Sequence, residues 1–174
     1  FWDEMWDFCG IIGEKGGTVF QDAADMREAK FFPQGRLNYA ENILRKNSGE
    51  TAIISRNEKG EERRLSRRDL CEQVSRLQQF LIEKGVKEGD RVAGYMPNIP
   101  ETIIAHLAAA SLGAIWSSAS PDFGVQGLLD RFGQIEPKVL IVADGYYYNG
   151  KTLDCLEKVK EVSAQIKGLE HIIL

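Results

Sequence analysis

From Arg91 to Leu174 the sequence alternates short apolar runs with longer stretches of helical periodicity, and this rhythm constrains the fold more than any other feature. Arg91 to Tyr95, Ala114 to Ser118, Lys138 to Val142 and Leu169 to Leu174 read as strands. Between them three sets recur at helical spacing: Ile103, Ile104, Leu107 and Ala108; Val125, Leu128, Leu129 and Phe132; Leu153, Leu156, Val159, Val162 and Ile166. Asn98 followed by Glu101 predicts a cap for the first helix, and Gly113 and Gly168 predict the ends of the first and third. Strands separated by helices pair parallel, with each helix crossing over the sheet. The expected class is α/β, part of a doubly wound parallel sheet. Ligands of such sheets sit beyond the carboxyl ends of the strands, here the loops at Pro97-Asn98, Ser117 to Asp122 and Asp144 to Lys151.

Upstream, residues 51 to 56 and 61 to 66 predict a β-hairpin around Asn57-Glu58-Lys59-Gly60. Ser66 with Asp69 then caps a helix whose apolar face is Leu70, Val74, Leu77 and Leu81, stopped by Gly85 after Lys84. The run Arg63-Arg64-Leu65-Ser66-Arg67-Arg68 is read as a solvated hairpin edge and an N-cap; no aromatics interleave it as a nucleic-acid surface requires. Residues 1 to 47 differ in character: an aromatic helix with Trp2 and Trp6 on one face, a Gly-rich connection, and a short helix from Tyr39 to Arg45 capped by Asn38 with Glu41. The division is therefore an extension, 1–47, and the first part of an α/β domain, 48–174.

A formal charge of −4, from 22 basic and 26 acidic residues, gives no reason to expect nucleic acid as a partner. No apolar run approaches the roughly 18 residues that span a bilayer, and no leader opens the chain, so no membrane partner and a cytoplasmic location are expected. The three cysteines, Cys9, Cys71 and Cys155, are far apart and form no CxxC pair, so neither a disulfide framework nor a metal site is expected.

Gly145-Tyr146-Tyr147-Tyr148-Asn149-Gly150-Lys151-Thr152 satisfies the phosphate-loop pattern GxxxxGK[ST] and lies between a predicted strand and a predicted helix. Three consecutive tyrosines oppose it, because a phosphate cradle needs small residues that let successive amides close on the anion. A lysine near a helix start, meeting some phosphate, stays attractive. No GxGxxG follows any strand. His106 and His171 are read as structural, and Asp122 and Asp130 as a helix cap and a surface charge.

Several strings together carry a resemblance. Phe1-Trp2-Asp3, Trp6-Asp7-Phe8, Gly10-Ile11 and Arg36-Leu37-Asn38-Tyr39-Ala40-Glu41-Asn42 resemble the N-terminal extension of acyl-CoA synthetases of the acetyl-CoA synthetase group. Gly89-Asp90-Arg91-Val92, Pro97-Asn98 and Glu101 resemble the early adenylate-forming domain. The run from Leu107 to Ser118, continuing through Ser120-Pro121-Asp122-Phe123-Gly124 to Leu129-Asp130-Arg131-Phe132, is similar to the acetoacetate-activating members, as is Tyr148-Asn149-Gly150-Lys151.

The resemblance implies a two-step ligase. ATP, with Mg2+, and acetoacetate give an acyl adenylate and pyrophosphate; the thiol of CoA then displaces AMP. It also implies that the small molecules are handled together with the remainder of the same chain, since the family's phosphate loop, adenine-binding stretch and mobile C-terminal domain have no counterpart here. The absence of an initiator Met and the strand-like ending at His171-Ile172-Ile173-Leu174 fit the same expectation of an N-terminal piece, inactive alone, with no catalytic residue and no tightly bound cofactor. By position, Ser120, Pro121, Asp122 and Lys151 are the residues implied to face the nucleotide end of CoA. Their loop reads Ser-Pro-Asp where relatives carry an aromatic followed by glycines, and Tyr148 stands where they carry an arginine. Two other readings stay open: an independent phosphate-loop nucleotide-binding domain using Gly145 to Thr152, and a non-enzymatic assembly module docking through its aromatic N-terminus.

Overall fold

The structure, a computed structural model, describes residues 1–174, which form two compact units, Phe1–Arg45 and Lys46–Leu174. The first contains helix α1 (Trp2–Phe8), the short antiparallel strands β1 (Phe20–Gln21) and β2 (Lys30–Phe31), and helix α2 (Tyr39–Leu44). The two tryptophans of α1 meet successive phenylalanines, Trp2 with Phe31 at 6.0 Å and Trp6 with Phe32 at 5.0 Å between ring centroids. The opposite character of the helix is used by Lys15, whose ammonium lies 2.7 Å from both Asp3 and Asp7, carboxylates one turn apart. Asn38 caps α2 as its spacing predicts, accepting from the Glu41 amide at 3.1 Å.

The second unit opens with the expected hairpin, β3 (Thr51–Arg56) and β4 (Glu62–Ser66). The Asn57 side chain fixes its turn by accepting from the amides of Lys59 and Glu61, both at 3.0 Å. Helix α3 (Arg67–Glu83) follows with a full capping box between Ser66 and Asp69. Then come β5 (Arg91–Tyr95), α4 (Pro100–Ser111), β6 (Ile115–Ala119), α5 (Val125–Ile135) and β7 (Val139–Val142). A second hairpin, β8 (Gly145–Tyr148) and β9 (Lys151–Asp154), precedes α6 (Leu156–Ser163) and β10 (His171–Ile173).

The main sheet has the order β10-β7-β5-β6, and every pair in it is parallel. The chain steps from β5 to β6 on one side, then returns past β5 to β7 and onward to β10. That reversal sends the crossover helices to opposite faces, as a doubly wound sheet requires. One face shows this in its core: Ala93, Tyr95, Leu140 and Val142 of the sheet pack with Leu128 and Phe132 of α5 and with Val159 and Val162 of α6. Alternation turns Val92, Val139 and Ile141 to the other face, and α3 and α4 pack against each other. Because β7 lies between two strands and under helices on both faces, Val139 to Val142 are all buried, which is why that run reads as continuously apolar.

Two expectations need correction. The cap of α4 is the backbone of Ile99, with no side-chain bond, and Pro100 occupies the first turn, where its missing N–H costs nothing. Asn98 lies outside the helix; the Thr102 hydroxyl instead donates to Pro97 O at 2.7 Å, and Glu101 pairs with Arg63 of β4. The third helix does not begin around Leu153, which lies in β9; α6 starts at Leu156. The cause is local. Asn149 and Gly150 take φ of 51° and 72°, the left-handed pair that a two-residue hairpin turn demands, and Tyr148 pairs with Lys151 across it.

Candidate functional site

At the carboxyl ends of the parallel strands, a groove of about 490 Å³ opens between four chain segments. Its walls include Arg56 and Glu58 from the first hairpin, Asn98 after β5, Ser120 to Asp122 after β6, and Tyr146 and Tyr148 of β8. It lies beside the reversal of strand order between β5 and β7, where open α/β sheets take their ligands. A larger groove of about 750 Å³ runs along the α3 and α4 face and is lined mainly by apolar side chains such as Leu77, Met96, Ile104 and Ile173. Only the first combines convergent hydrogen-bonding groups with aromatic walls, the composition that fixes the orientation of a polar ligand.

The wall after β6 is held from below. Tyr95, the last residue of β5 and 1% exposed, places its hydroxyl 2.7 Å from Pro121 O and 3.1 Å from Phe123 O. Lys158 of α6 also reaches Pro121 O, at 3.3 Å. Above, Asp122 accepts from the Ser120 hydroxyl at 2.9 Å and from the Tyr146 hydroxyl at 2.9 Å. Asp122 is therefore a loop carboxylate tying β8 to the β6 loop. It does not cap a helix, because the residue before α5 is Gly124.

Both phenols are held neutral. Burial pushes Tyr95 from its ordinary 10.0 up to about 12. Burial and the hydrogen bond to the Asp122 carboxylate push Tyr146 to about 12 as well. Each neutral phenol is favoured by folding, so its contribution is complete below pH of about 10 and is lost as the pH rises towards 12. An alkaline ultraviolet titration should accordingly lose one late-ionising phenol in Tyr95→Phe and another in Tyr146→Phe. Tyr95→Phe should also cost about 1–2 kcal/mol in urea unfolding, since it strips a hydroxyl from a buried carbonyl pair. A Tyr95→Phe curve superimposable on the unsubstituted protein at high pH would contradict this arrangement.

Of the residues implied by resemblance, Ser120, Pro121 and Asp122 line the groove together. The Pro121 side chain is fully buried and serves as the anchor, while Ser120 and Asp122 are exposed to the opening. Lys151 does not join the lining; it is the exposed first residue of β9, across the turn from Tyr148. The predicted strand, loop and helix around Gly145 to Thr152 is a strand, turn and strand, so neither Lys151 nor Thr152 stands at a helix start. Gly145 has a different use: a Cβ there would lie 2.6 Å from the backbone oxygen of Leu153 in the paired strand.

Sequence reasoning did not find Tyr95, Tyr146 or Glu58. The Asn149-Gly150 dipeptide between strand-forming residues was the available signal for the second hairpin and hence for Tyr146. Glu58 carries no local signal; its carboxylate accepts from the Asn149 amide at 3.1 Å and the Gly150 amide at 3.3 Å, 91 and 92 residues away. No group of three or more His, Cys, Asp or Glu side chains comes together in a way that could hold a metal ion.

The fold has counterparts of known structure and sequence. The acetoacetyl-CoA synthetase structure from Streptomyces lividans superposes with a TM-score of 0.93 at 38% identity, covering 99% of this chain and 27% of that one. Acetoacetyl-coenzyme A synthetase of Rhizobium meliloti (strain 1021) is 54% identical across 95% of this chain and 26% of its own length. Acetoacetyl-CoA synthetase of Rattus norvegicus is 40% identical across 100% and 26%. The chain thus spans about a quarter of the length of the curated relatives it matches. The sequence description of the AMP-binding enzyme family matches residues 40–173, most of the chain and the whole of the parallel sheet. With that match and the doubly wound sheet it covers, the chain belongs to the AMP-binding enzyme family.

Proposed function

We propose that these 174 residues are the first part of an acid–thiol ligase that joins acetoacetate to CoA. In that reaction a carboxylate oxygen attacks the α-phosphorus of ATP and pyrophosphate leaves. The thiol of CoA then attacks the acyl carbon and AMP departs. The observation that carries this reading is the 54% identity, over 95% of the chain, to a protein named acetoacetyl-coenzyme A synthetase. Residues 1–47 serve as the N-terminal extension and 48–174 as the opening of the adenylate-forming domain of a cytoplasmic enzyme.

The part played by this stretch is to receive the nucleotide end of CoA. The groove supports it: Tyr146 and Tyr148 offer aromatic surface, Ser120, Asp122 and Asn98 offer hydrogen bonds, and Lys151 at the hairpin offers a point charge for phosphate. Ser120 and Asp122 contribute directly, Pro121 by holding the loop. ATP, acetoacetate and Mg2+ are handled by the remainder of the enzyme, so the 174 residues alone form no product.

Titrating the full chain tests this. CoA should bind weakly and move amide resonances at Ser120, Asp122 and Lys151, while ATP with Mg2+ should give no heat. Tight magnesium-dependent ATP binding that Lys151→Ala abolishes would replace this reading with a nucleotide-binding domain built on Gly145 to Thr152.

A further inference from the structure

We propose that the tip of the first hairpin is a clasp on the tip of the second, and that Glu58 is the residue that positions the second hairpin's aromatic strand along the groove. The second hairpin stands apart from the main sheet as a two-stranded sheet of its own. Such a pair is marginal in water unless something else supports it. Its base has that support: Tyr146 packs against the core cluster, and Leu153, paired with it, is half-buried. Burial then runs out along the arm. Tyr147 and Tyr148 are exposed, and so are Thr152 and Lys151 across from them.

The outer half is held instead by polar groups of one turn. Glu58 accepts from the Asn149 amide with one carboxylate oxygen and from the Gly150 amide with the other, at 3.1 and 3.3 Å. Beside it the Lys59 ammonium lies 3.8 Å from the centroid of the Tyr147 ring. The turn that presents both side chains is stiff. Asn57 Oδ1 accepts from the Lys59 and Glu61 amides, both at 3.0 Å, and Asn57 Nδ2 donates to the Glu61 carboxylate at 2.7 Å. Behind it Arg56 pairs with Glu62 across the strands at 2.7 Å, and β4 runs directly into α3 with Leu65 only 3% exposed. The first hairpin is thus a fixed post and the second an arm resting on it.

The Asn149 and Gly150 amides are exposed, and water satisfies such groups well, so the Glu58 bonds contribute position more than net stability. Position matters because Arg56 to Glu58 and Tyr146 to Tyr148 line the same groove. Joining the two tips fixes their separation, and with it the groove's width at that end, before any ligand arrives. The effect extends to the base of the arm, because Tyr146 keeps its 2.9 Å bond to Asp122 only while β8 lies against the β6 loop. The clasp holds for any ligand the groove takes; only its consequence for CoA rests on the reading above.

Amide hydrogen exchange and CoA titration of the full chain, with Glu58→Ala and Glu58→Gln, test the clasp. In Glu58→Ala the amides of β8 and β9 should exchange about three- to tenfold faster, while those of Val139 to Val142 and the urea midpoint stay in place. Glu58→Gln keeps the reach and one carbonyl acceptor, so its exchange should fall between the two. CoA should bind Glu58→Ala about two- to fivefold more weakly than Glu58→Gln. Both variants remove the same charge, so the difference between them reports position alone. Hairpin amides that exchange at the unsubstituted rate in Glu58→Ala overturn the proposal. Acceleration that spreads to Val139 to Val142 overturns it too, since Glu58 would then support the whole unit. Equal CoA affinity in the two variants, with the hairpin loosened in Glu58→Ala, removes the positioning role and leaves the CoA reading standing. A hairpin that loosens as expected in a chain that binds no CoA keeps the clasp and removes the CoA reading.

Discussion

Phe132→Ala should destabilise the 46–174 unit by about 3–5 kcal/mol, the largest loss expected from any single truncation in this chain. Phe132 has no exposure and belongs to the cluster that α5 and α6 bury against Ala93, Tyr95, Leu140 and Val142. Removing its ring deletes transfer free energy and leaves a cavity bounded by helix on two sides and sheet on the third, a geometry that cannot collapse far. For a unit of this size the loss corresponds to a fall in Tm of roughly 6–20 °C. The urea midpoint should move while its slope stays constant, since the surface exposed on unfolding barely changes. Phe123→Ala is the natural control. That ring is only partly buried and lies beneath the Arg131 guanidinium at 3.9 Å, so the change should cost much less. Equal losses for the two variants would mean that α5 is not held through Phe132.

The same helix shows what was legible in the sequence. Val125, Leu128, Leu129 and Phe132 announce α5 through their spacing alone, and its apolar stripe is the face that packs. Ser66 with Asp69 announces the start of α3 equally well, because a capping box is a purely local arrangement. The strand order is another matter. Nothing in the periodicity of Val139 to Val142 says that it pairs with β5 on one side and β10 on the other; parallel pairing is settled by long-range burial. At Asn98 a plausible cap lost to Ile99 and Pro100, whose fixed φ already suits a first turn. Around the groove the decisive contacts join distant segments: Tyr95 to Pro121, Tyr146 to Asp122, Glu58 to Asn149 and Gly150. The Ser120 to Asp122 wall was reachable from the rule that ligands sit beyond strand ends, whereas the groups that brace it were not.

Gly145→Val should separate the two meanings of the string Gly145 to Thr152. In a phosphate loop the first glycine lets the backbone approach an anion, so substituting it damages nucleotide binding while the fold survives. Here Gly145 pairs with Asp154, and a Cβ would stand 2.6 Å from Leu153 O, a backbone atom without freedom to rotate away. The base of the hairpin is closed besides by the Cys155 amide, which donates to Asp144 O at 2.8 Å. A valine must therefore splay β8 from β9. The expected cost is about 2–3 kcal/mol in urea unfolding. Splaying also draws Tyr146 away from Asp122, so the late-ionising phenol assigned to Tyr146 should titrate earlier, and CoA binding should fall by about tenfold or more. Lys151→Ala provides the contrast, because its exposed side chain supports no packing and its removal should leave stability within about 0.5 kcal/mol. If Gly145→Val instead keeps full stability and the late Tyr146 titration, the hairpin is not what the glycine serves. A glycine required by its partner strand and a lysine dispensable to the fold are together the signature of a β-turn edge, the geometry that carries Tyr146 to the groove beyond the strand ends.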